Sequence, residues 1–366
     1  MPKTMTRILL PSGRVAEGAR LPSLSSDEQT RLYRLMLLNR RIDERMIRLQ
    51  RQGRLGFYVG SVGEEAAIVG SAFALQAKDW ILPCYRELGA ALVRNFPLFD
   101  LFCQFVGNAR DQNKGRQMPN HYGSPALRIT SISSPVGSQI PHATGLGVAA
   151  RLSGKEEAVL VYFGEGATSE GDFHVAANFA AVYKAPTIFF CRNNQWAISV
   201  PARSQTMSEN FAVKAKAYGF EGVQVDGNDV FGVYSVTRQA TQKARKGGGP
   251  TLIEAVTYRQ GGHSTSDDPR AYRDDSEVQE WKDKDPILRL RSYLMSQGYL
   301  TEDGDAQFEA EIKQDIQENL AKAEAIGPPA LETVFEDVLD TVPWHLREQL
   351  ESLRTAERSA KVHEKI

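Results

Sequence analysis

Residues 158–163, Ala-Val-Leu-Val-Tyr-Phe, form an apolar run of strand length that stops at Gly164-Glu165-Gly166-Ala167-Thr168-Ser169-Glu170-Gly171-Asp172. Apolar residues then recur at helical spacing from Phe173 to Tyr183, and residues 186–192 (PTIFFCR) read as a second buried strand. Two strands that are apolar on both faces and joined through a helix imply parallel pairing, because a parallel pair needs a crossover and the crossover helix covers the sheet. Residues 222–225 and 252–256 read as further strands separated by helical segments. The expected fold is α/β, a mostly parallel doubly wound sheet with an N-terminal arm and a C-terminal helical appendage.

Residues 1–26 carry Pro, Gly and Ser without periodicity and read as an extended arm lying on a surface or partner. The α/β domain is placed at 27–284 and opens on a capping box, Ser25-Ser26-Asp27-Glu28, ahead of helical spacing that runs to Gly53. Residues 285–366 read as helices broken at Gly298 and at Gly327-Pro328-Pro329. The charged stretch after His263 (STSDDPRAYRDDSE) reads as a mobile surface loop.

Lys plus Arg (44) nearly balance Asp plus Glu (45), so no bulk basic field draws the chain to nucleic acid or an anionic membrane. No apolar run approaches the roughly 20 residues of a membrane helix. Cys84, Cys103 and Cys191 are an odd set without CxxC spacing, which argues against a disulfide framework or zinc site. The expected location is cytoplasmic.

In a parallel sheet, ligands lie outside the carboxyl ends of the strands. Two consecutive strand ends here carry unusual chemistry. One supplies the Glu165 carboxylate between two glycines; the next supplies Arg192-Asn193-Asn194, a cation and two carboxamides. A carboxylate and an amide oxygen, with a main-chain carbonyl, make a hard-oxygen site suited to Mg²⁺, which completes its shell with substrate phosphates. The pair therefore points to a metal-bound phosphoanhydride.

This pattern resembles the thiamine diphosphate signature, Gly-Asp-Gly followed one strand–helix–strand unit later by Asn-Asn, with Glu165 in place of the Asp. Tyr85-Arg86-Glu87, Gly115 to Pro119, Ile132 to Pro135, Val225 to Val230 and Gly262-His263-Ser264 resemble the alpha subunits of 2-oxo acid dehydrogenases over about residues 27–350. His121-Tyr122-Gly123 and His263 to Asp268 make the branched-chain type the nearest. The resemblance implies that Glu165, Asn194 and the Trp196 carbonyl hold Mg²⁺. It implies that Tyr85, Arg86, Arg192 and His263 contact the diphosphate, with Gly164, Gly166 and Ala167 framing it. Ser134 and Val136 would meet the aminopyrimidine, and Ser133, Pro135, Ser138 and Gln139 match a loop that binds K⁺ in some members. His263 is the expected proton donor for acyl transfer; His121 and Tyr85 are substrate candidates.

The resemblance further implies decarboxylation of a 2-oxo acid and acyl transfer to the lipoyl group of a dihydrolipoyl acyltransferase. A single metal signature with no second half implies a beta subunit, expected in an α₂β₂ assembly. A pyruvate or acetoin dehydrogenase alpha subunit is the nearest alternative, and a non-catalytic homologue a remote one. Gly145-Leu146-Gly147 matches a dinucleotide fingerprint, but no strand precedes it, which disfavours an NAD-dependent oxidoreductase. His142 and His174 are left without a catalytic assignment.

Overall fold

The computed structural model describes residues 5–356. A five-stranded, wholly parallel sheet carries strands β1 (Trp80–Leu82), β2 (Val159–Gly164) and β3 (Thr187–Asn193). Past β3 comes a small antiparallel hairpin of β4 (Trp196–Ala197) and β5 (Val200–Pro201), then β6 (Glu221–Asp226) and β7 (Thr251–Val256) return to the main sheet. The order is β1-β2-β3-β7-β6, so the chain skips a position after β3 and fills it last. The four strands expected from apolar runs are present. The three-residue β1 is too short to show a period.

Alternation along the strands feeds two separate cores. Leu160 and Tyr162 of β2, with Ile188 and Phe190 of β3, pack on the side of helices α1 (Ser26–Arg51) and α2 (Glu65–Phe73). Two short helices, α3 (Leu88–Val93) and α4 (Leu98–Val106), extend that layer. Val159, Val161, Phe163, Phe189 and Cys191 face the other way, against α5 (Gln139–Leu152) and α6 (Gly171–Val182). Each such fully buried side chain contributes roughly 1.5–3 kcal/mol, and swapping faces by a one-residue register slip would forfeit both cores at once. The capping box is formed: Glu28 N donates to Ser25 Oγ at 3.2 Å and Ser25 N to Glu28 Oε2 at 2.8 Å. A Cβ on Gly147 would stand 2.5 Å from Thr187 Oγ1 and 3.2 Å from Ala185 Cβ, so this glycine lets α5 seat against the start of β3 and has no phosphate to cradle.

The N-terminal arm is stitched to the sheet edge. Thr6 pairs with Val225 in parallel, and the Asp229 carboxylate at the start of α7 (Val230–Arg245) accepts the main-chain N–H groups of Ile8 and Leu9. Beyond the sheet, α8 (Asp275–Lys282), α9 (Pro286–Ser296), α10 (Glu302–Glu324) and α11 (Trp344–Thr355) follow. Ile287 and Leu290 of α9 and Ile312, Ile316 and Leu320 of α10 join the α1 core.

The segment after His263 is more constrained than its charge suggested. Thr265 N donates to Tyr58 O at 3.0 Å and Tyr58 N to Thr265 Oγ1 at 3.0 Å, while Arg273 Nη2 donates to Gln260 O at 2.9 Å. Thr265 and Arg273 thus tie the segment to main-chain partners, and Asp268 pairs with Arg270 inside it, contacts that need no buried apolar surface. No helix among the described residues is long and apolar enough to cross a membrane.

Candidate active site

The carboxyl ends of β1, β2, β3 and β7 open on one edge of the sheet. Following β1 come Tyr85 and Arg86; following β2, Gly164 and Glu165; following β3, Asn194; and beyond β7, His263. These line one cavity of about 200 Å³, together with Val136, Gly166, Ala167, Arg192 and Trp196. That volume is below the roughly 300–1,000 Å³ of a complete small-molecule pocket. Val136 and Ile198, 48 % and 53 % exposed, stand at its mouth, so the chain supplies part of a site and leaves one side open. A larger cavity of about 1040 Å³, between the arm and α7, takes none of the expected residues.

Glu165 is 1 % exposed and has only long contacts, from Asn194 N at 3.3 Å and Gln205 Nε2 at 3.4 Å. Burial with no compensating cation raises its carboxyl to about 7. Asn194 turns its amide nitrogen to Glu64 Oε1 at 3.0 Å, which leaves Oδ1 with a weak contact from Trp196 N at 3.3 Å. The Trp196 carbonyl accepts from Arg259 at 3.3 Å and keeps a second lone pair. A Cβ on Gly166 would stand 2.7 Å from Ala197 Cβ, so only glycine lets the β4 hairpin close over this turn. A buried carboxylate lacking a cation, an under-used amide oxygen and a carbonyl are a donor set that fits a hard divalent ion bridged to phosphate oxygens. Among the described residues no three His, Cys, Asp or Glu side chains are placed to hold a metal ion together, and this donor set needs only one of them.

Since ligand carboxylates bind as anions, cation affinity should fall as pH drops below about 7, by about tenfold per unit, as Glu165 takes up a proton. Titration of Mg²⁺-dependent cofactor binding between pH 6 and 8 checks this, and a flat profile would remove Glu165 from the ligand set.

Arg192 is 2 % exposed and is committed to Glu64 and Glu87, both fully buried. Burial works against its charge, yet the two carboxylates hold it above the usual guanidinium range. Arg86 donates through Nη1 to Gly60 O at 2.7 Å and through Nη2 to His263 O at 2.6 Å, with Nη2 also 3.0 Å from His263 Nδ1. A guanidinium cannot accept, so Nδ1 is the acceptor and the ring proton sits on Nε2. Burial, then Arg86 and Arg259, depress the His263 pKa to about 4. His263 is therefore a neutral N–H donor at pH 7. The Tyr85 ring meets it edge-on at 5.9 Å, and burial pushes the Tyr85 hydroxyl up to about 12.

The dehydrogenase E1 component family matches residues 33–332, which includes every residue of this edge. The chain belongs to that family. The 2-oxoisovalerate dehydrogenase subunit alpha, mitochondrial, of Dictyostelium discoideum is 43 % identical over 93 % of this chain and 78 % of that protein. Its counterpart in Homo sapiens is 42 % identical over 95 % and 78 %, and subunit alpha 2 of Arabidopsis thaliana 41 % identical over 94 % and 73 %. These mitochondrial relatives overturn the cytoplasmic expectation, which rested on cysteine usage and the lack of a membrane-length apolar run; a reducing organelle leaves the same marks.

Of the remaining expected residues of this E1 chain, Gln139 lines the cavity, and His121, Ser133, Ser134, Pro135 and Ser138 are not part of its wall. His121 Nδ1 faces Pro119 O at 3.1 Å, so it carries the proton, and Nε2 accepts from Ser134 Oγ at 2.5 Å. In the adjoining turn Ser138 Oγ donates to Pro135 O at 3.0 Å and Gln139 Nε2 to Tyr162 O at 2.7 Å, while Gln139 Oε1 is buried without a donor. Ser133 lies half-buried in the same turn. His142 is exposed on α5, and His174 bonds Tyr218 away from the cavity. Glu64 and Gln205 touch the site and escaped the sequence reading. The pair Glu64-Glu65 ahead of an apolar helix was a usable signal, since buried acids need partners; Gln205, one polar residue in a polar loop, offered none.

Proposed function

We propose that the chain is the alpha subunit of a branched-chain 2-oxo acid dehydrogenase, the decarboxylating oxidoreductase component that passes an acyl group to lipoyl. The observation that carries this is the convergence of Glu165, Asn194, Arg86 and His263 on one strand edge of an E1 chain whose relatives at 41–43 % identity are 2-oxoisovalerate subunits. Those names favour a branched substrate over the pyruvate or acetoin reading. Thiamine diphosphate, the cofactor that the family implies, supplies when bound a nucleophilic carbon and an electron sink for loss of CO₂.

Glu165, Asn194 and the Trp196 carbonyl would hold Mg²⁺. Arg192 Nε is buried without a partner, and Arg86 has N–H groups beyond those bonded to Gly60 and His263, so both keep donors for phosphate oxygens beside His263 Nε2–H, the Tyr85 hydroxyl and the main chain at Gly164, Gly166 and Ala167. Both also contribute positive charge to the cavity they line. Phosphate beside His263 would raise its depressed pKa toward neutrality, which a proton donor in acyl transfer requires. Ser134 and Val136, at the open side, suit the pyrimidine, and His121, reaching through Ser134, and Tyr85 suit the substrate carboxylate. The unpaired Gln139 Oε1 beside Ser133, Pro135 and Ser138 supports a K⁺ site. The open mouth calls for a beta subunit, in an α₂β₂ assembly, and a lipoyl-bearing dihydrolipoyl acyltransferase as acceptor. Decarboxylase assay of the co-expressed pair against linear and branched 2-oxo acids should show the highest kcat/KM for the branched set; preference for pyruvate or silence on all would refute the assignment.

A further inference from the structure

One side chain, Gln205, ties the Glu165 carboxylate to the β4–β5 hairpin. Gln205 lies in the turn that closes that hairpin, where Ala202 N donates to Gln195 O at 2.9 Å and Gln205 N to Ala202 O at 3.1 Å. Its Nε2 donates to Val200 O at 3.1 Å and to Glu165 Oε1 at 3.4 Å. Val200 O can only accept, and so can Glu165 in the anionic form that binds a cation, so in that form the amide cannot be turned over without setting its oxygen against a carbonyl and a carboxylate. Gln205 Oε1 therefore points away from both, and it is buried without a donor. It lies beside Gly166, 3.6 Å from where a Cβ would stand there.

A buried acceptor without a donor is costly, and native structures keep few of them without a reason. Here the unpaired oxygen adjoins the turn that carries the proposed cation ligand, and the same side chain braces the hairpin that presents the Trp196 carbonyl. Mg²⁺ gives up its hydration reluctantly and keeps water in its shell, and a metal-bound water is a strong donor. We propose that Gln205 is a positioning residue of the cation site, its amide nitrogen fixing Glu165 against the hairpin and its buried oxygen accepting from water retained by the ion. This rests on the cation reading of Glu165 given above.

The test uses the full chain co-produced with its partner subunit and Mn²⁺ as the probe, with free Mn²⁺ read by electron paramagnetic resonance, with and without thiamine diphosphate. Gln205→Ala should weaken Mn²⁺ binding by about tenfold or more, the usual cost of losing a group behind a metal ligand. Gln205→Glu loses the amide nitrogen but keeps a buried acceptor, so it should hold Mn²⁺ more tightly than Gln205→Ala does. A side chain that only braces the hairpin would leave Gln205→Glu no tighter than Gln205→Ala, because it too loses the donor to Val200 and in addition repels Glu165. Wild-type affinity in Gln205→Ala, or a Gln205→Glu variant no tighter than Gln205→Ala, overturns the inference; Gln205→Met, which keeps the length, replaces the alanine variant if that does not fold. Glu165→Gln is the control: if it keeps Mn²⁺ the cation reading itself fails, and if it loses Mn²⁺ while Gln205→Ala keeps it, only the role of Gln205 falls.

Discussion

Replacing Glu165 by alanine should abolish metal-dependent thiamine diphosphate binding, a loss of about a hundredfold or more given that partners behind a ligand alone are worth 10–100-fold. The carboxylate does little for the fold. It is buried, carries no ion pair, and accepts only two long hydrogen bonds, so it is held in a state that burial disfavours. Removing it relieves that cost while leaving two weakly engaged N–H groups, and the thermal midpoint of the cofactor-free protein should hold or rise. Calorimetry with Mg²⁺ and thiamine diphosphate on the assembled enzyme measures the first half and a thermal melt the second. Retained affinity would end the assignment of this edge as the cofactor site; lost affinity with a collapsed melt would show that Glu165 serves the core.

The second large effect is on the chain alone, which should decarboxylate 2-oxo acids no faster than buffer does. Activating the cofactor takes a carboxylate beside its pyrimidine, and the buried carboxylates around the cavity are otherwise engaged. Glu165 is the proposed cation ligand, Glu64 and Glu87 are locked to Arg192 in the interior, and the remaining one, Glu170, is exposed to solvent at the mouth. The open side at Val136 and Ile198 would also leave the cofactor wet, where electrostatic stabilisation is weakest. Turnover by the chain freed of any partner, confirmed by mass, would mean that the site is complete as it stands.

Much of this was legible in the residues themselves. Uninterrupted apolar runs identify parallel strands because both faces are covered, and Glu165 and Asn194 stood out as polar groups at the ends of such runs. The strand β1 did not, since three residues carry no period, and the polar framework behind the ligands did not either. Glu64 controls which way the Asn194 amide faces, and Arg86 settles the tautomer of His263, but each relation links residues more than a hundred positions apart. Composition also misled once, where free cysteines suggested a cytoplasm that the mitochondrial relatives contradict.

The arm at the sheet edge bears on how this protein resists association. An outer parallel strand such as β6 offers a row of main-chain donors and acceptors to any extended peptide, and here, among the described residues, Thr6 occupies that row, bonding Gln224 O and Asp226 N at 3.0 Å each. The Asp229 carboxylate then turns the arm away at Ile8 and Leu9, before it can cover more of the strand. Among the described residues, protection of the edge thus rests on Thr6, on the Arg7–Asp226 ion pair at 2.7 Å and on the buried Asp229 carboxyl. A cut or substitution that frees Thr6 would convert a quiet margin into a template for self-addition, and would strand a charged group whose two nearest donors left with the arm.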